Sequence, residues 1–269
     1  MRLRRMFGNS QVPLFDPFLL LDNFGSNNPA DYLAGFPWHP HRGIETVTYM
    51  LHGRVAHEDS LGNAGTIQAG DLQWMTAGSG IIHQEMPQRS EGSLTGFQLW
   101  VNLPARQKMT EPAYRGMGAD EIPTVLNEDG TRVKVVAGTY RGVEGPTRGI
   151  SVDPTYLDVQ LPRGGSFDIE TPEGYTAFAQ TFEGSARFGD AGTRPSGSSE
   201  TLLFGPGRRI HAESVDGPSR FLFVSGRPIG EPVAWYGPIV MNRPEELAQA
   251  ALELRRGDFI HHRAPTVEE

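Results

Sequence analysis

The sequence predicts an all-β protein of two similar domains, and three observations support this. The chain has 269 residues, which is enough for two domains with sizeable cores. It contains 33 glycines and 21 prolines, which supply turns at short intervals and leave little room for long helices. Short strand-like segments lie between those turns, and part of the chain is repeated. Such spacing is typical of a β-sandwich or β-barrel.

Seven segments carry the strand signal, because each combines β-branched and aromatic residues with flanking glycine or proline. In chain order they are ETVTYMLHG (45–53), AGTIQAGDLQWMTAG (64–78), GFQLWVNLP (96–104), TRVKVVAGTY (131–140), TYLDVQLPRG (155–164), YTAFAQTFEG (175–184) and SRFLFVSGRP (219–228). Together they are spread along the chain between residues 45 and 228.

The repeat relates the first half of the chain to the second. ETVTYMLHGRVAHED (45–59) aligns with YTAFAQTFEGSARFGD (175–190), and GSGIIHQE (78–85) then matches GPGRRIHAE (205–213) through a shared Ile-His-x-Glu pattern. Two copies of one β unit fit the prediction of two domains.

A polar segment separates the two copies. Residues 105–130 are rich in glycine, proline and charge, which predicts a connecting segment rather than core. We therefore expect a first domain over residues 1–125 and a second over residues 126–269.

The end of the chain predicts one amphipathic helix. In MNRPEELAQAALELRRGDF (241–259), Pro244 and two glutamates mark the start, and two arginines followed by Gly257 mark the end. An apolar stripe follows helical spacing and is expected to pack on the second barrel. The stripe consists of Leu247, Ala250, Ala251 and Leu254.

Composition excludes several classes of function. The formal net charge of −8 opposes direct binding to nucleic acid, and the basic start with Arg2, Arg4 and Arg5 is interpreted as a solvated chain end. There is no cysteine, so any metal must be bound by nitrogen and oxygen. No apolar run approaches the ~20 residues of a membrane span, and no signal peptide is evident. We expect a soluble, cytoplasmic monomer.

Two short runs hold a candidate metal site. In FPWHPHRGIE (36–45), His39 and His41 share one face of an extended strand, and in GSGIIHQEMP (78–87), His83 and Glu85 do the same. If the runs lie close together, three nitrogens and one carboxylate oxygen converge. An octahedral metal would then keep two positions for substrate or dioxygen.

The choice of carboxylate stays open at this point. Glu45 has the same strand parity as His39 and His41, so parity alone does not decide between Glu45 and Glu85. Each histidine alone is more simply interpreted as a loop or core residue, but two paired patterns favour a metal site. The remaining histidines of the first half and tail are interpreted as turn or solvent-exposed residues. They are His52, His57, His261 and His262.

The chain resembles the pirin family of the cupin superfamily, from about Phe15 to Leu254. The runs that carry the resemblance are FDPFLLLDNFGS, HPHRGIETVTYMLHG, HEDSLGNAGTIQAGDLQWMTAGSGIIHQEMP, GFQLWVNLP and GEPVAWYGPIVMN. The resemblance implies a bicupin, with two antiparallel jelly-roll β-barrels, a C-terminal α-helix and one iron in the first barrel.

Carried over position by position, the family's metal ligands fall on four residues. These are His39, His41, His83 and Glu85. The general cupin pattern H-x-H-x3-E would instead select Glu45, to which we assign a supporting role. Trp38 departs from relatives that carry an acidic residue there, and it is either a shaper of the metal entrance or a buried structural residue.

The second barrel is expected to be metal-free and structural. The repeat places Glu170 and Pro172 where the first barrel has its first two histidines, and only His211 and Glu213 remain.

The resemblance implies a quercetinase-type dioxygenase that acts on flavonols with dioxygen. The metal is expected to be Fe²⁺, with Mn, Ni, Cu or Co as alternatives, and Glu85 is the candidate base. The pocket lining is expected to include Phe36, Trp38, Met75 and Trp100. The alternative from another class is a non-enzymatic, iron-dependent redox sensor that acts through a protein partner, and a hydrolytic zinc cupin is a third hypothesis.

Overall fold

A computed structural model describes residues 1–89, 92–198 and 200–262. It confirms the all-β prediction, because the strands form two compact units and every pairing between named strands is antiparallel. No described helix is both long enough and apolar enough to cross a membrane.

Unit 1 comprises Met1–Leu14, Phe18–Ala119 and the described residues from Ile229 onward. Its first ten strands are β1 (Leu3–Phe7), β2 (Phe18–Ser26), β3 (Phe36–His41), β4 (Ile44–His52), β5 (Arg54–Asp59), β6 (Ala64–Gln68), β7 (Leu72–Thr76), β8 (Ile81–Pro87), β9 (Leu94–Asn102) and β10 (Ala113–Met117). A short helix, α1 (Pro29–Tyr32), follows β2. One sheet has the order β1-β2-β9-β4-β7-β10, and the other has the order β3-β8-β5-β6.

Unit 2 comprises Phe15–Pro17 and Asp120–Pro228. Its strands are β11 (Thr124–Leu126), β12 (Arg132–Ala137), β13 (Thr139–Tyr140), β14 (Val143–Glu144), β15 (Thr155–Leu161), β16 (Ser166–Glu170), β17 (Thr176–Glu183), β18 (Ser185–Phe188), β19 (Ser196–Gly197), β20 (Thr201–Leu203), β21 (Arg209–Ser214) and β22 (Ser219–Gly226). They form sheets of order β11-β12-β15-β22-β17-β20 and β16-β21-β18-β19, with β13 and β14 as a separate pair.

The two units repeat one topology. The order β1-β2-β9-β4-β7 in the larger sheet of unit 1 matches β12-β15-β22-β17-β20 in unit 2, and the smaller sheets match strand for strand. The weak sequence repeat therefore reflects two copies of one cupin-type barrel.

The connecting segment is only partly what the sequence predicted. Within residues 105–130, β10 pairs with β7 and β11 pairs with β12, so the segment supplies an edge strand to each large sheet. Both strands are short and mostly exposed or half-buried, so the sequence carries little signal for them, because an edge strand buries little apolar surface.

The predicted exposure of Arg2, Arg4 and Arg5 is confirmed, but the start of the chain forms strand β1. Arg5 lies in β1 and donates two hydrogen bonds to Asp22 on β2, at 2.9 and 2.8 Å. Arg2 forms an ion pair with Asp31 at 3.3 Å. A basic N-terminal strand is thus fixed by acidic partners within unit 1.

The predicted C-terminal helix is confirmed as α2 (Pro244–Arg256), which ends at Gly257 with a left-handed φ of 78°. Two short strands precede it, β23 (Ala234–Tyr236) and β24 (Ile239–Met241). The stripe packs in unit 1, where Ala250 is buried with residues of β24 and with Phe259. The predicted boundary, which placed this helix with the second barrel, differs from the structure because the stripe finds its apolar partners on β24.

Candidate metal centre

Strand pairing brings the two histidine runs together. Strands β3 and β8 are neighbours in the smaller sheet of unit 1, and their register sets His39 directly opposite His83. Along β8, Ile81, His83 and Glu85 are buried, whereas the residues between them are half-buried. The strand parity expected from the sequence is therefore present, and its buried face carries the histidine and the glutamate.

Three of the four predicted ligands form one cluster. The ring centroids of His39 and His41 lie 4.8 Å apart, those of His39 and His83 4.4 Å, and those of His41 and His83 5.1 Å. One ligand atom from each side chain lies within 4.8 Å of the other two, so the three side chains are close enough to bind the same metal ion.

Backbone carbonyls fix the tautomers of two of these rings. Nδ1 of His39 lies 2.8 Å from the carbonyl of Pro37, and Nδ1 of His41 lies 3.1 Å from the carbonyl of Pro238. Because a carbonyl oxygen only accepts, each Nδ1 carries the proton, and each Nε2 keeps a free lone pair. This is the form in which imidazole binds a metal.

His83 supplies the observation that a metal would explain. Within the described residues, neither of its ring nitrogens has a hydrogen-bond partner, although both are buried. An unsatisfied buried polar group costs about 1–3 kcal/mol. Coordination of an ion by one nitrogen would remove much of that cost, so the residues present fit a bound metal.

Burial also keeps two of the rings, those of His41 and His83, neutral. It lowers the pKa of His41 to about 3, with a further contribution from the nearby His39. The pKa of His83 lies well below its ordinary value because of burial and because the ring faces His41 and His39. Neutral imidazoles are the species that coordinate metals, so these two rings are prepared for binding at neutral pH.

This gives a prediction for the metal-free protein. The unfolded chain takes up protons on its histidines as the pH falls through about 6.5, whereas folded His41 takes up a proton only near pH 3. The free energy of unfolding is therefore expected to decrease as the pH falls across that window. Urea unfolding of chelator-treated protein should show a shallower decrease for His41→Asn than for the wild type. Equal slopes would contradict the depressed pKa of this ring.

Glu85 reaches across the barrel to the other sheet. Its Oε1 accepts a hydrogen bond from the Thr48 hydroxyl at 3.0 Å, and its Oε2 accepts one from Nε2 of Gln98 at 3.0 Å. Thr48 lies on β4 and Gln98 on β9, directly opposite each other. Glu85 is buried on the same face of β8 as His83, but the cluster of possible metal ligands contains only the three histidines.

Glu45 points to the other face of its strand. Its Oε1 accepts a hydrogen bond from the Thr76 hydroxyl at 2.7 Å, and burial raises its pKa. Glu45 and Thr48 are three residues apart on β4, so they lie on opposite faces. Since Thr48 contacts Glu85, Glu45 faces away from that carboxylate. Its hydrogen bond to Thr76 gives no support to the predicted role beside the ligands.

The sequence missed the side chains that hold Glu85 and misjudged one histidine. Nothing in the local sequence marks Thr48 or Gln98, because their role depends on strands that lie far apart in the chain. His57, interpreted as a turn residue, lies on β5 directly opposite Glu85, and its ring stacks on Tyr114 with centroids 5.7 Å apart. The position of His57 opposite the predicted ligand Glu85 could have been inferred only from the pairing of β5 with β8.

The predicted pocket lining is partly present. The Trp100 ring meets His41 edge to face with centroids 5.0 Å apart, and Met75 is buried in the same apolar cluster as Trp100. Phe36 packs edge-on against Phe24. Trp38 is 48% exposed, which excludes the alternative of a buried structural residue.

In unit 2 the remaining Ile-His-x-Glu pattern lies on the wrong face for an interior site. Ile210 and Ala212 of β21 belong to the buried core, so His211 and Glu213 lie on its other face. His211 contacts Asp168 at 3.2 Å. Glu213 forms an ion pair with Arg187 at 2.7 Å. Large apolar side chains fill the interior of this unit, among them Phe167, Phe188, Phe221 and Phe223.

Two cupin-type barrels, of which the first carries a buried three-histidine cluster, place the protein among the two-domain cupins. Residues 1–101 match the family described as Pirin, and residues 156–260 match the Pirin C-terminal cupin domain. A pirin-like protein of Caulobacter vibrioides is 46% identical over 260 residues, covering 96% of this chain and 92% of the relative. The chain belongs to the pirin family.

Two further comparisons agree with this membership. Human pirin is 41% identical over 269 residues, covering 98% of this chain and 90% of its own length. The crystal structure of a quercetin 2,3-dioxygenase from Acinetobacter baumannii is 35% identical with a TM-score of 0.86, covering 96% of this chain and 91% of the other.

Proposed function

We propose that the protein is a metal-dependent dioxygenase with quercetinase-type activity on flavonols or related compounds. The observation that carries this proposal is the cluster of three histidines in which both ring nitrogens of buried His83 lack a partner among the described residues. The likeness to the Acinetobacter baumannii quercetin 2,3-dioxygenase supports the choice of substrate class.

His39, His41 and His83 would hold one divalent metal, with Glu85 as the proposed fourth ligand. This nitrogen and oxygen set suits Fe²⁺, and it also suits Mn, Ni, Cu and Co. When bound, such a metal supplies Lewis-acid chemistry and lowers the pKa of a coordinated hydroxyl group.

Glu85 is also the proposed general base. Hydrogen bonds from Thr48 and Gln98 hold both of its oxygens and fix the orientation of the carboxylate. A carboxylate held in this way can accept the proton of a flavonol 3-hydroxyl that lies within hydrogen-bond reach. Trp100 forms an apolar wall against His41, and Trp235 packs on Trp100 with ring centroids 5.8 Å apart, which helps exclude water.

The direct test is oxygen consumption by metal-loaded protein in the presence of quercetin. We expect the flavonol absorption band to bleach and carbon monoxide to be released, slowly if flavonols only substitute for the natural substrate. Iron, manganese, nickel, copper and cobalt forms should be compared at equal metal occupancy. If every loaded form leaves the band unchanged and releases no carbon monoxide, the flavonol proposal is wrong and the redox-sensor alternative becomes the leading one.

A further inference from the structure

We propose that the C-terminal segment 238–261 is a positioning element of the metal centre, and that the affinity of the protein for its metal depends on the docking of this segment. The inference rests on the proposed role of His41 as a ligand. Its basis is that the three consecutive residues His41, Arg42 and Gly43 are all fastened to this segment.

The backbone of the segment runs alongside the histidine. Pro238 supplies the carbonyl that accepts the Nδ1 proton of His41 at 3.1 Å. The next residue, Ile239, forms a parallel bridge with Arg42, and the amide of Val240 donates to the carbonyl of Arg42 at 3.1 Å. The orientation and tautomer of His41 are therefore set by a carbonyl almost 200 residues away in the chain.

Arg42 fixes the end of the segment from within the protein. Its side chain is 2% exposed, and its Nη1 lies 2.6 Å from a carboxylate oxygen of Glu253 on α2. Nη2 donates to the carbonyl of Phe259 at 2.8 Å, and the guanidinium carbon lies 4.1 Å from the centre of the Phe259 ring. Nε donates to the carbonyl of Ser79 at 2.6 Å. His261 is exposed, as expected, and lies 3.1 Å from Glu253.

Lys108 forms a second buried connection between the turn after His41 and β24. Its Nζ donates to the carbonyl of Gly43 at 2.8 Å, to the carbonyl of Val240 at 2.9 Å and to Oδ1 of Asn102 at 2.7 Å. Three acceptors match the three N–H groups of an ammonium ion. Gly43 has a φ of 78°, and a Cβ at this position would collide with the carbonyl oxygen of Val240. The turn after His41 therefore lies directly against β24.

These contacts have a thermodynamic consequence. Partners that orient a metal-binding histidine typically change metal affinity about 10- to 100-fold when they are lost. Because coupling between two equilibria is reciprocal, metal binding must also stabilise the docked segment. If the segment were a purely structural anchor, loss of its contacts would destabilise the metal-free and metal-bound forms equally, and the affinity for metal would not change.

The first experiment measures Mn²⁺ affinity by competition with a chelator for Glu253→Gln and Arg42→Lys. Glu253→Gln removes the charge that faces Arg42, and Arg42→Lys keeps the charge but loses the planar fork that reaches several acceptors. We expect each variant to bind Mn²⁺ about 10-fold more weakly. The matched control is Glu213→Gln, which removes an ion pair with Arg187 in unit 2 and should bind as the wild type does.

The second experiment needs no variant, so it remains decisive if a substitution prevents folding. Amide hydrogen exchange of the wild-type protein is compared with and without Mn²⁺. We expect slower exchange in residues 239–241 and in α2 when the metal is bound. Unchanged exchange there, or wild-type Mn²⁺ affinity in both variants, would overturn the positioning role.

The two proposals can fail separately. If His41→Ala retains wild-type Mn²⁺ binding, the proposed ligand set is wrong, and the positioning role fails with it. If His41→Ala loses Mn²⁺ while Arg42→Lys and Glu253→Gln bind it normally, the metal site stands and only the positioning role is refuted.

Discussion

Replacement of His41 by alanine is expected to remove most of the bound metal from the protein. His41 supplies one of the three clustered imidazoles, and its ring is buried against the other two. Two remaining histidines cannot retain the affinity of three, because each coordination bond adds to the binding free energy. Elemental analysis of protein loaded with one equivalent of metal measures the loss, and circular dichroism verifies that the β fold persists.

The matched control for this experiment is His211→Ala. His211 is the histidine of the second copy of the repeat, but it lies on the outer face of β21 beside Asp168. Its removal should leave the metal content at one ion per chain. Equal loss in both variants would show that binding is not confined to the first barrel.

Replacement of Glu85 by glutamine is expected to abolish flavonol turnover even where some metal is retained. The amide is similar in size but cannot accept the substrate proton. As a metal ligand, its neutral oxygen is also weaker than the charged carboxylate oxygen. In the wild type, Thr48 and Gln98 both donate hydrogen bonds to the carboxylate oxygens of Glu85. In the variant, one of these two side chains faces an amide N–H group instead of an oxygen. The electron paramagnetic resonance spectrum of bound Mn²⁺ or Cu²⁺ should change as well.

Glu45→Gln is the informative comparison for the same assay. Glu45 is buried like Glu85, but it lies on the opposite face of β4 from Thr48 and bonds to Thr76 of β7. We expect its replacement to leave the paramagnetic spectrum and most of the turnover intact. A larger effect from Glu45 than from Glu85 would show that the general cupin pattern identifies the carboxylate correctly.

Two errors of sequence interpretation have one physical cause. His57 was interpreted as a turn residue but lies in β5, and α2 was assigned to the second barrel but packs in unit 1. What these elements contact depends on residues far away in the chain, and a local pattern does not contain that information.

The sequence by itself determined the all-β class, the two-copy organisation and the bounds of α2. It also determined that His39 and His41 share one strand face and that His83 and Glu85 share another. These features follow from short-range geometry, because turns, helix ends and strand alternation depend on neighbouring residues. Only the tertiary structure decided that β3 pairs with β8 so that the three histidines cluster, and that Glu85 rather than Glu45 faces Thr48. It also decided that segment 238–261 docks on His41, Arg42 and Gly43. Strand register and the packing of the C-terminal segment join residues up to about 200 positions apart. Such contacts are selected by the burial of the whole fold rather than by the preference of any one segment.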